Sequence, residues 1–248
     1  MSRFGRPIGL LRSLLIYYGD PLRHCRLKKL YRDFIRPGDL AIDAGAHVGN
    51  HTRAFLALGA RVVAVEPQPL FAGFLRTIFR RNQDVVVVEA ALGAAPGRAE
   101  LRVSTRTPTV STLDGDWQRR VSRAESFSRI RWDQRIEVAV ETLDGLVAAH
   151  GSPALIKLDV EGAEAEVLRG LSEPVPLVCF EALPAARDAA LECLDRLVEL
   201  GYEQLNRSSG EQAALGPDWT GPDAVRQFLE DLSPGSREQN IFARLESS

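Results

Sequence analysis

The sequence is short of several things at once. It holds three cysteines in 248 residues, at Cys25, Cys179 and Cys193. They are odd in number and widely spaced, so they frame neither a disulfide scaffold nor a zinc cluster. They suit a reducing, cytoplasmic setting. No apolar run reaches the roughly 18 residues that span a bilayer. The stretch from Pro7 to Gly19 is apolar but short, and Arg12 interrupts it. No small-residue cleavage site follows, which argues against a secretory leader. Internal repeats and low-complexity tracts are absent. Apolar residues at 45% and charged residues at 26% are globular averages, which excludes a disordered or collagen-like chain.

Net charge is nearly absent too, at -2. That total hides an asymmetry. Residues 1–36 hold nine Lys/Arg against two Asp/Glu, and residues 98–135 hold nine against five. Residues 136–248 hold eight against twenty-one. The front of the chain is basic and the back acidic.

From Leu40 onward, short apolar runs alternate with helix-length amphipathic runs. Strands are predicted at Leu40–Ala44, Arg61–Val65, Val85–Val88, Ala154–Val160 and Leu177–Phe180. Helices are predicted at Asn50–Leu58, Leu70–Arg81, Glu164–Leu168 and Arg187–Leu200. Four consecutive Val at 85–88 suggest a strand covered on both faces. Such alternation implies a parallel sheet with helices on both sides. Tyr202–Asn206 and Asn240–Leu245 read as a closing antiparallel pair at one sheet edge. Two regions break the pattern. Leu101–Ser104 and Val110–Leu113 suggest a small hairpin, and Ile136–Glu141 a further strand. Between them, Asp116–Arg135 is Arg-rich and interleaved with Trp117, Phe127 and Trp132. It reads either as a solvated surface helix or as a substrate wall. In residues 1–36, Leu11, Leu14, Leu15 and Tyr18 share one helical face. That stripe would pack on the main domain, or else contact a membrane surface.

Asp43-Ala-Gly45-Ala46-His47-Val-Gly49-Asn50 joins the first strand to the first helix. A dinucleotide fingerprint needs G-x-G-x-x-G; from Gly45 the second and third positions are His47 and Asn50. The fit fails, which disfavours a nicotinamide-dependent oxidoreductase. An acidic residue just before the turn suits a ligand with a cationic head. Glu66, followed by Pro67, ends the second strand 23 residues after Asp43. That is about where a carboxylate accepts both ribose hydroxyls of a nucleoside. Alone, Glu66 could merely cap the next helix. Combined with Asp43, Gly45 and Gly49, it points to a positively charged adenosine ligand such as S-adenosylmethionine. His47 and His51 are four apart, but no third ligand lies nearby, and they read as ordinary polar residues at a helix start.

Ile156-Lys157-Leu-Asp159-Val-Glu161-Gly-Ala-Glu164 is the most distinctive stretch. Strand periodicity puts Lys157, Asp159 and Glu161 on one side if the strand continues that far. A buried Lys requires a partner, and Asp159 or Glu161 supplies it. Ligands of open α/β sheets bind beyond the carboxyl ends of the strands, so Asp159 faces the same crevice as Asp43 and Glu66. Glu181 closes the next strand and could reach it. The alternative is a structural ion pair with carboxylates at a helix start.

Here the chain resembles the FkbM-type methyltransferases, class I enzymes dependent on S-adenosylmethionine. The matching stretches are Asp43–Asn50 with Thr52, Glu66-Pro67, Ala90–Gly93, Ser111–Leu113, Thr142–Asp144 and Ile156–Glu164 with Val167-Leu168 and Gly170. His47 and His51 stand where that family often has Asn and an aromatic residue. The resemblance implies a Rossmann-like α/β fold with a mostly parallel seven-stranded sheet and an antiparallel edge hairpin. Charge and patterning predict a basic helical extension over 1–36 ahead of the methyltransferase domain over 37–248, with an inserted segment at about 98–135. The resemblance also implies O-methylation of a glycan, glycolipid or polyketide-type acceptor, the alternatives being a catalytically silent S-adenosylmethionine-binding module or a nucleic-acid methyltransferase. The cofactor-binding candidates are Asp43, Gly45, Ala46, His47, Gly49, Asn50, Glu66, Pro67 and Ala91.

Methyl transfer is an in-line displacement with a good neutral leaving group, so alignment dominates. A sugar hydroxyl still benefits from a base. Asp159 is the first candidate, Glu161 the second, and Lys157 would orient the carboxylate or stabilise the developing alkoxide. A second version places a divalent cation, Mg²⁺ by ligand type, between Asp159 and Glu181; the metal-free version is favoured. The partner is then a small-molecule, glycan or lipid-linked acceptor. Nucleic acid is disfavoured because the strand end lacks the Asn/Asp-Pro-Pro stretch of amino-methylating enzymes. Peripheral membrane contact through 1–36 stays open.

Overall fold

A computed structural model describes residues 5–104, 107, 111–112, 131–209, 214–233 and 235–246. Helices α1 (Gly5–Tyr18) and α2 (Pro21–Tyr31) lead into β1 (Leu40–Ala44), α3 (Asn50–Ala57), β2 (Arg61–Val65), α4 (Pro69–Ile78) and β3 (Val85–Val88). Strands β4 (Ala91–Leu92), β5 (Gly97–Val103) and β6 (Gln134–Glu141) follow. The chain continues through α5 (Leu143–His150), β7 (Leu155–Leu158), α6 (Glu164–Arg169), β8 (Leu177–Ala182) and α7 (Arg187–Glu199). It closes with β9 (Gln204–Ser209), α8 (Pro222–Glu230) and β10 (Gln239–Arg244).

Seven strands form one sheet in the order β3-β2-β1-β7-β8-β10-β9. The first five are parallel. β10 runs antiparallel to both β8 and β9, as expected for the closing pair. After β1 the chain builds outward through β2 and β3, then returns to β1's other side with β7. The gap between β1 and β7 is therefore the topological switch point, where open α/β sheets bind their ligands.

The period of two along each strand separates two cores. Leu40, Ile42, Ala44, Ile156, Leu158, Val178 and Phe180 face α6, α7 and α8 through Val167, Leu194 and Leu229. Ala41, Val62, Leu155, Cys179 and Phe242 face the opposite way, onto α2 and α3 through Leu27, Leu30, Tyr31 and Phe55. Asp20 caps α2 by accepting the Leu22 N–H at 2.9 Å. Thr142 caps α5 by accepting the Gly145 N–H at 3.0 Å. Each cap satisfies an otherwise orphaned donor of the first turn. β4, β6 and β5 form a separate three-stranded sheet over Ala91, Leu101, Val103 and Val138.

The structure corrects several sequence expectations. The Val85–Val88 strand is not covered on both faces: it is the sheet edge, and Val86 is 43% exposed. Valine reports a fit to a pleated surface, not depth of burial. α4 ends at Ile78, short of Arg81, where Phe79 leaves helical geometry. The hairpin at 101–113 survives as β5 plus a single antiparallel bridge from Arg102 to Thr112. Most of the Arg-rich inserted segment, with Trp117 and Phe127, lies outside the described residues. Trp132 packs beside Ala186 and Leu183. The largest correction concerns α1. Of the predicted stripe, Leu14 and Tyr18 are half-buried, Tyr18 bonding the Val48 carbonyl, but Leu11 and Leu15 point away from the protein at 58% and 67% exposure, whereas Ser13 is buried.

Candidate active site

The carboxyl ends of β1, β2 and β7 surround an open cleft, at the place where α/β sheets of this kind bind their ligands. Gly45, His47, Glu66, Pro67, Ala91, Asp159 and Glu161 line it. Tyr17, Gln68, Ala90, Leu92, Leu101 and Ser111 do so as well. Asp43, Ala46, Gly49, Asn50 and Lys157 are not among the lining residues. Asp43, Ala46 and Lys157 are buried within the core, and Gly49 and Asn50 begin α3.

The floor is a row of buried ions. β1 and β7 pair in a register that sets Asp43 beside Lys157. Asp43 is 1% exposed, and its Oδ2 accepts the Thr52 hydroxyl at 2.6 Å. Burial, offset in part by Lys157 and Thr52, raises its pKa. Lys157 is 2% exposed and donates from Nζ to Asp159 Oδ2 at 2.8 Å. Burial opposes its charge, but Asp159 and Asp43 outweigh that cost and its pKa rises. Two residues beyond Lys157, Asp159 emerges at the cleft with its side chain 33% exposed.

Glu66 closes β2 with both oxygens engaged. Oε2 accepts the His47 N–H at 2.9 Å and Oε1 the Gln68 N–H at 2.8 Å. Each oxygen keeps a further lone pair for a second donor. Burial pushes the carboxyl up to about 7, and the two amides pull it back. Gly45 has φ +82°, and a Cβ there would meet the Asp159 carbonyl oxygen at 1.8 Å. The turn after β1 thus presses directly on the end of β7.

His47 and Glu161 are the non-glycine residues with positive φ among the described residues, at 48° and 55°, and both border the cleft. The His47 ring packs 4.3 Å from Phe71 between centroids, and its Nε2 lies 3.1 Å from Ser13 Oγ. Burial drives its pKa down from 6.5 to about 4, with Asp159 pulling the other way. The native state therefore favours the neutral ring. Stability should fall as pH drops below about 6.5 and level off near 4. Asn tolerates positive φ, so His47→Asn should keep the turn and remove this slope. Between pH 7 and 5, the wild type is expected to lose about 2 kcal/mol more than the variant in urea unfolding. Equal losses would refute a buried neutral His47.

Glu161, Asp159 and Glu181 each bring an oxygen to within 4.8 Å of the others. Burial, then repulsion among these carboxylates, raises Glu161 and Glu181 well above the ordinary range. Such a group either shares protons or holds a cation. Glu164 has a different task. Its Oε1 accepts the Val160 N–H and its Oε2 the Gly162 N–H, both at 2.9 Å, so it braces the loop that presents Glu161. Gln offers only one acceptor oxygen. Glu164→Gln should therefore cost about 1–3 kcal/mol, read by urea unfolding. An unchanged midpoint would show that the brace is dispensable.

Tyr17 was missed from the sequence. It reaches the cleft from α1, and burial followed by the charges of Asp159, Glu181 and Glu161 raises its pKa. The helical stripe drawn through Leu11 and Leu15 hid it. Nothing in the local sequence marks the inward face; the burial of Ser13, four residues before Tyr17, shows it only in the structure.

A seven-stranded sheet in this order, with a glycine turn after its first strand and a carboxylate ending its second, defines a class I S-adenosylmethionine-dependent methyltransferase. The chain belongs to the methyltransferase FkbM domain family, whose model it matches over residues 43–231. Among solved structures it is similar to the precorrin-6y C5,15-methyltransferase of Geobacter metallireducens, at 14% identity and TM-score 0.46, covering 92% of this chain and 88% of that one. It is also similar to an S-adenosylmethionine-dependent O-methyltransferase of Thermotoga maritima, at 11% identity and TM-score 0.44, covering 89% and 65%. Aeropyrum pernix fibrillarin with natively bound S-adenosyl-L-methionine matches at 12% identity and TM-score 0.43, covering 85% and 68%. No curated protein matches the chain. No described helix is long and apolar enough to cross a membrane.

Proposed function

We propose that the protein methylates a hydroxyl of a glycan, glycolipid or polyketide-type acceptor without a metal, with Asp159 as the base. One observation carries this reading: a carboxylate at the cleft surface whose Oδ2 is tied to a buried lysine. Lys157 holds Asp159 in place and leaves Oδ1 to receive the hydroxyl proton.

The cleft's chemistry fits the cofactor. Glu66 has lone pairs for the ribose hydroxyls, Gly45 allows close backbone approach, and Ala91 and Leu92 offer an apolar wall toward the adenine. Asp43 and Asp159 supply a negative field under the cationic sulfur. When bound, S-adenosylmethionine supplies an electrophilic methyl group. The protein's own task is alignment and proton removal. Glu161 stands next to Asp159 as the second carboxylate, its pKa raised by burial and by the charges of Glu181 and Asp159. Tyr17 covers the cleft from above and helps to exclude water.

The test is turnover of labelled cofactor with purified glycans, glycolipids and polyketides, and location of the new methyl group by NMR. A methyl ether supports the proposal. Transfer to nitrogen, carbon or RNA would overturn it.

A further inference from the structure

We infer that α1 and the start of α2 form a docking face for an anionic phospholipid surface. This goes beyond the proposed reaction and does not depend on it. α1 is built inside out. Its inward face carries Ser13, which is 2% exposed and bonded to His47, and Tyr17, which lines the cleft. Tyr18 adds a hydrogen bond to the Val48 carbonyl at 2.6 Å. The outward face carries Leu11 at 58%, Leu15 at 67% and Ile16 at 44% exposure, and Leu22 follows at 63%. Leu11 and Leu15 lie four apart, hence in one row along the helix. These four are most of the exposed large apolar side chains of the described residues, the others being Ile78, Val86 and Val198. Such a concentration marks an interaction surface.

The charge around the row identifies the occupant. Residues 1–36 carry nine Lys/Arg against two Asp/Glu. Exposed Lys29 and Arg32 continue the outward side of α2 beyond Leu22. An apolar row with basic flanks is the pattern of a helix lying in a lipid headgroup layer. A second copy of this chain fits poorly, because it would press two strongly basic segments together. Since Tyr17 hangs from α1 into the cleft, docking brings the cleft to the membrane, where a lipid-linked acceptor resides.

The full chain should be sedimented with vesicles of phosphatidylcholine alone, or of phosphatidylcholine with phosphatidylglycerol, at low and at physiological salt. Binding to the anionic vesicles is expected to exceed that to neutral ones by roughly tenfold or more. The pair Leu11→Ser and Leu15→Ser should lower it by a similar factor, with the thermal midpoint and cofactor affinity unchanged. Lys29→Gln with Arg32→Gln should reduce the preference for anionic lipid. Equal sedimentation of wild type and the serine pair would overturn the proposal. So would a wild-type dimer in light scattering that the serine pair dissociates. A loss of methyl transfer with lipid binding intact would count against the proposed function alone.

Discussion

Asp159→Asn is expected to lower turnover by about 10²–10⁴-fold while S-adenosylmethionine affinity stays within a few-fold. Asn is nearly isosteric, and its carbonyl oxygen can still accept the Lys157 ammonium that now sits 2.8 Å from Asp159 Oδ2. The buried lysine therefore keeps a partner, and the position loses chiefly its ability to take a proton. The contacts that would hold adenosine lie elsewhere, on Glu66 and the turn at Gly45. The main effect is thus on turnover: kcat falls by orders of magnitude, while the loss of one negative charge beneath the sulfonium moves the cofactor Kd by no more than a few-fold. The measurement belongs in metal-depleted buffer and again with added Mg²⁺. Full activity of the variant in both would remove Asp159 as base and as ligand. A wild-type rate restored only by Mg²⁺ would favour the version in which Asp159, Glu161 and Glu181 share a cation.

Much of this site could be read from the sequence because strand ends and turns are written locally. Asp43 lies one residue before the end of β1, Gly45 and Glu66 directly follow β1 and β2, and strand parity alone aligned Lys157 with Asp159. What escaped depended on tertiary placement. Nothing local shows that Glu164 turns back to hold the Val160 and Gly162 amides; as a residue type at a helix start it looks like any first-turn acid. Val85–Val88 looked central because four valines satisfy any pleated surface, yet β3 lies at the edge. α1 misled most. Amphipathic patterning assumes that leucine faces the protein, and here the helix presents Ser13 and Tyr17 inward. The rule failed for Leu11 and Leu15, which face away from the protein. The acidic back of the chain likewise resolves into parts about the cleft end of β7 and β8: Asp159 pairs with Lys157, Glu164 holds two backbone amides, and Glu161 and Glu181 crowd against Asp159.

Gly45→Ala is expected to be the most damaging single methyl group in the protein. The position combines φ +82° with a Cβ that would sit 1.8 Å from the Asp159 carbonyl oxygen. The first feature alone costs about 1–2 kcal/mol for a residue with a side chain. The second cannot be relieved by a rotamer change, because the obstacle is backbone. The turn and the end of β7 must move apart, and both are pinned. Gly45 N–H donates to the Val65 carbonyl, and Asp159 N–H to the Ala44 carbonyl, each at 3.0 Å. Separation would break the alignment of Glu66 with Asp159, since His47 on the same turn donates to Glu66. Displacement of about 1 Å at such a site costs on the order of 10²-fold in rate, so activity should fall at least that far, together with a large drop in thermal midpoint. Gly73→Ala is the matched control. It lies in α4, has no positive φ, and a methyl group there would meet nothing within 4 Å. It should gain about 0.5–1 kcal/mol from reduced chain entropy. If Gly45→Ala unfolds at the wild-type temperature and binds cofactor normally, the close packing of β1's turn on β7 is not what shapes the cleft.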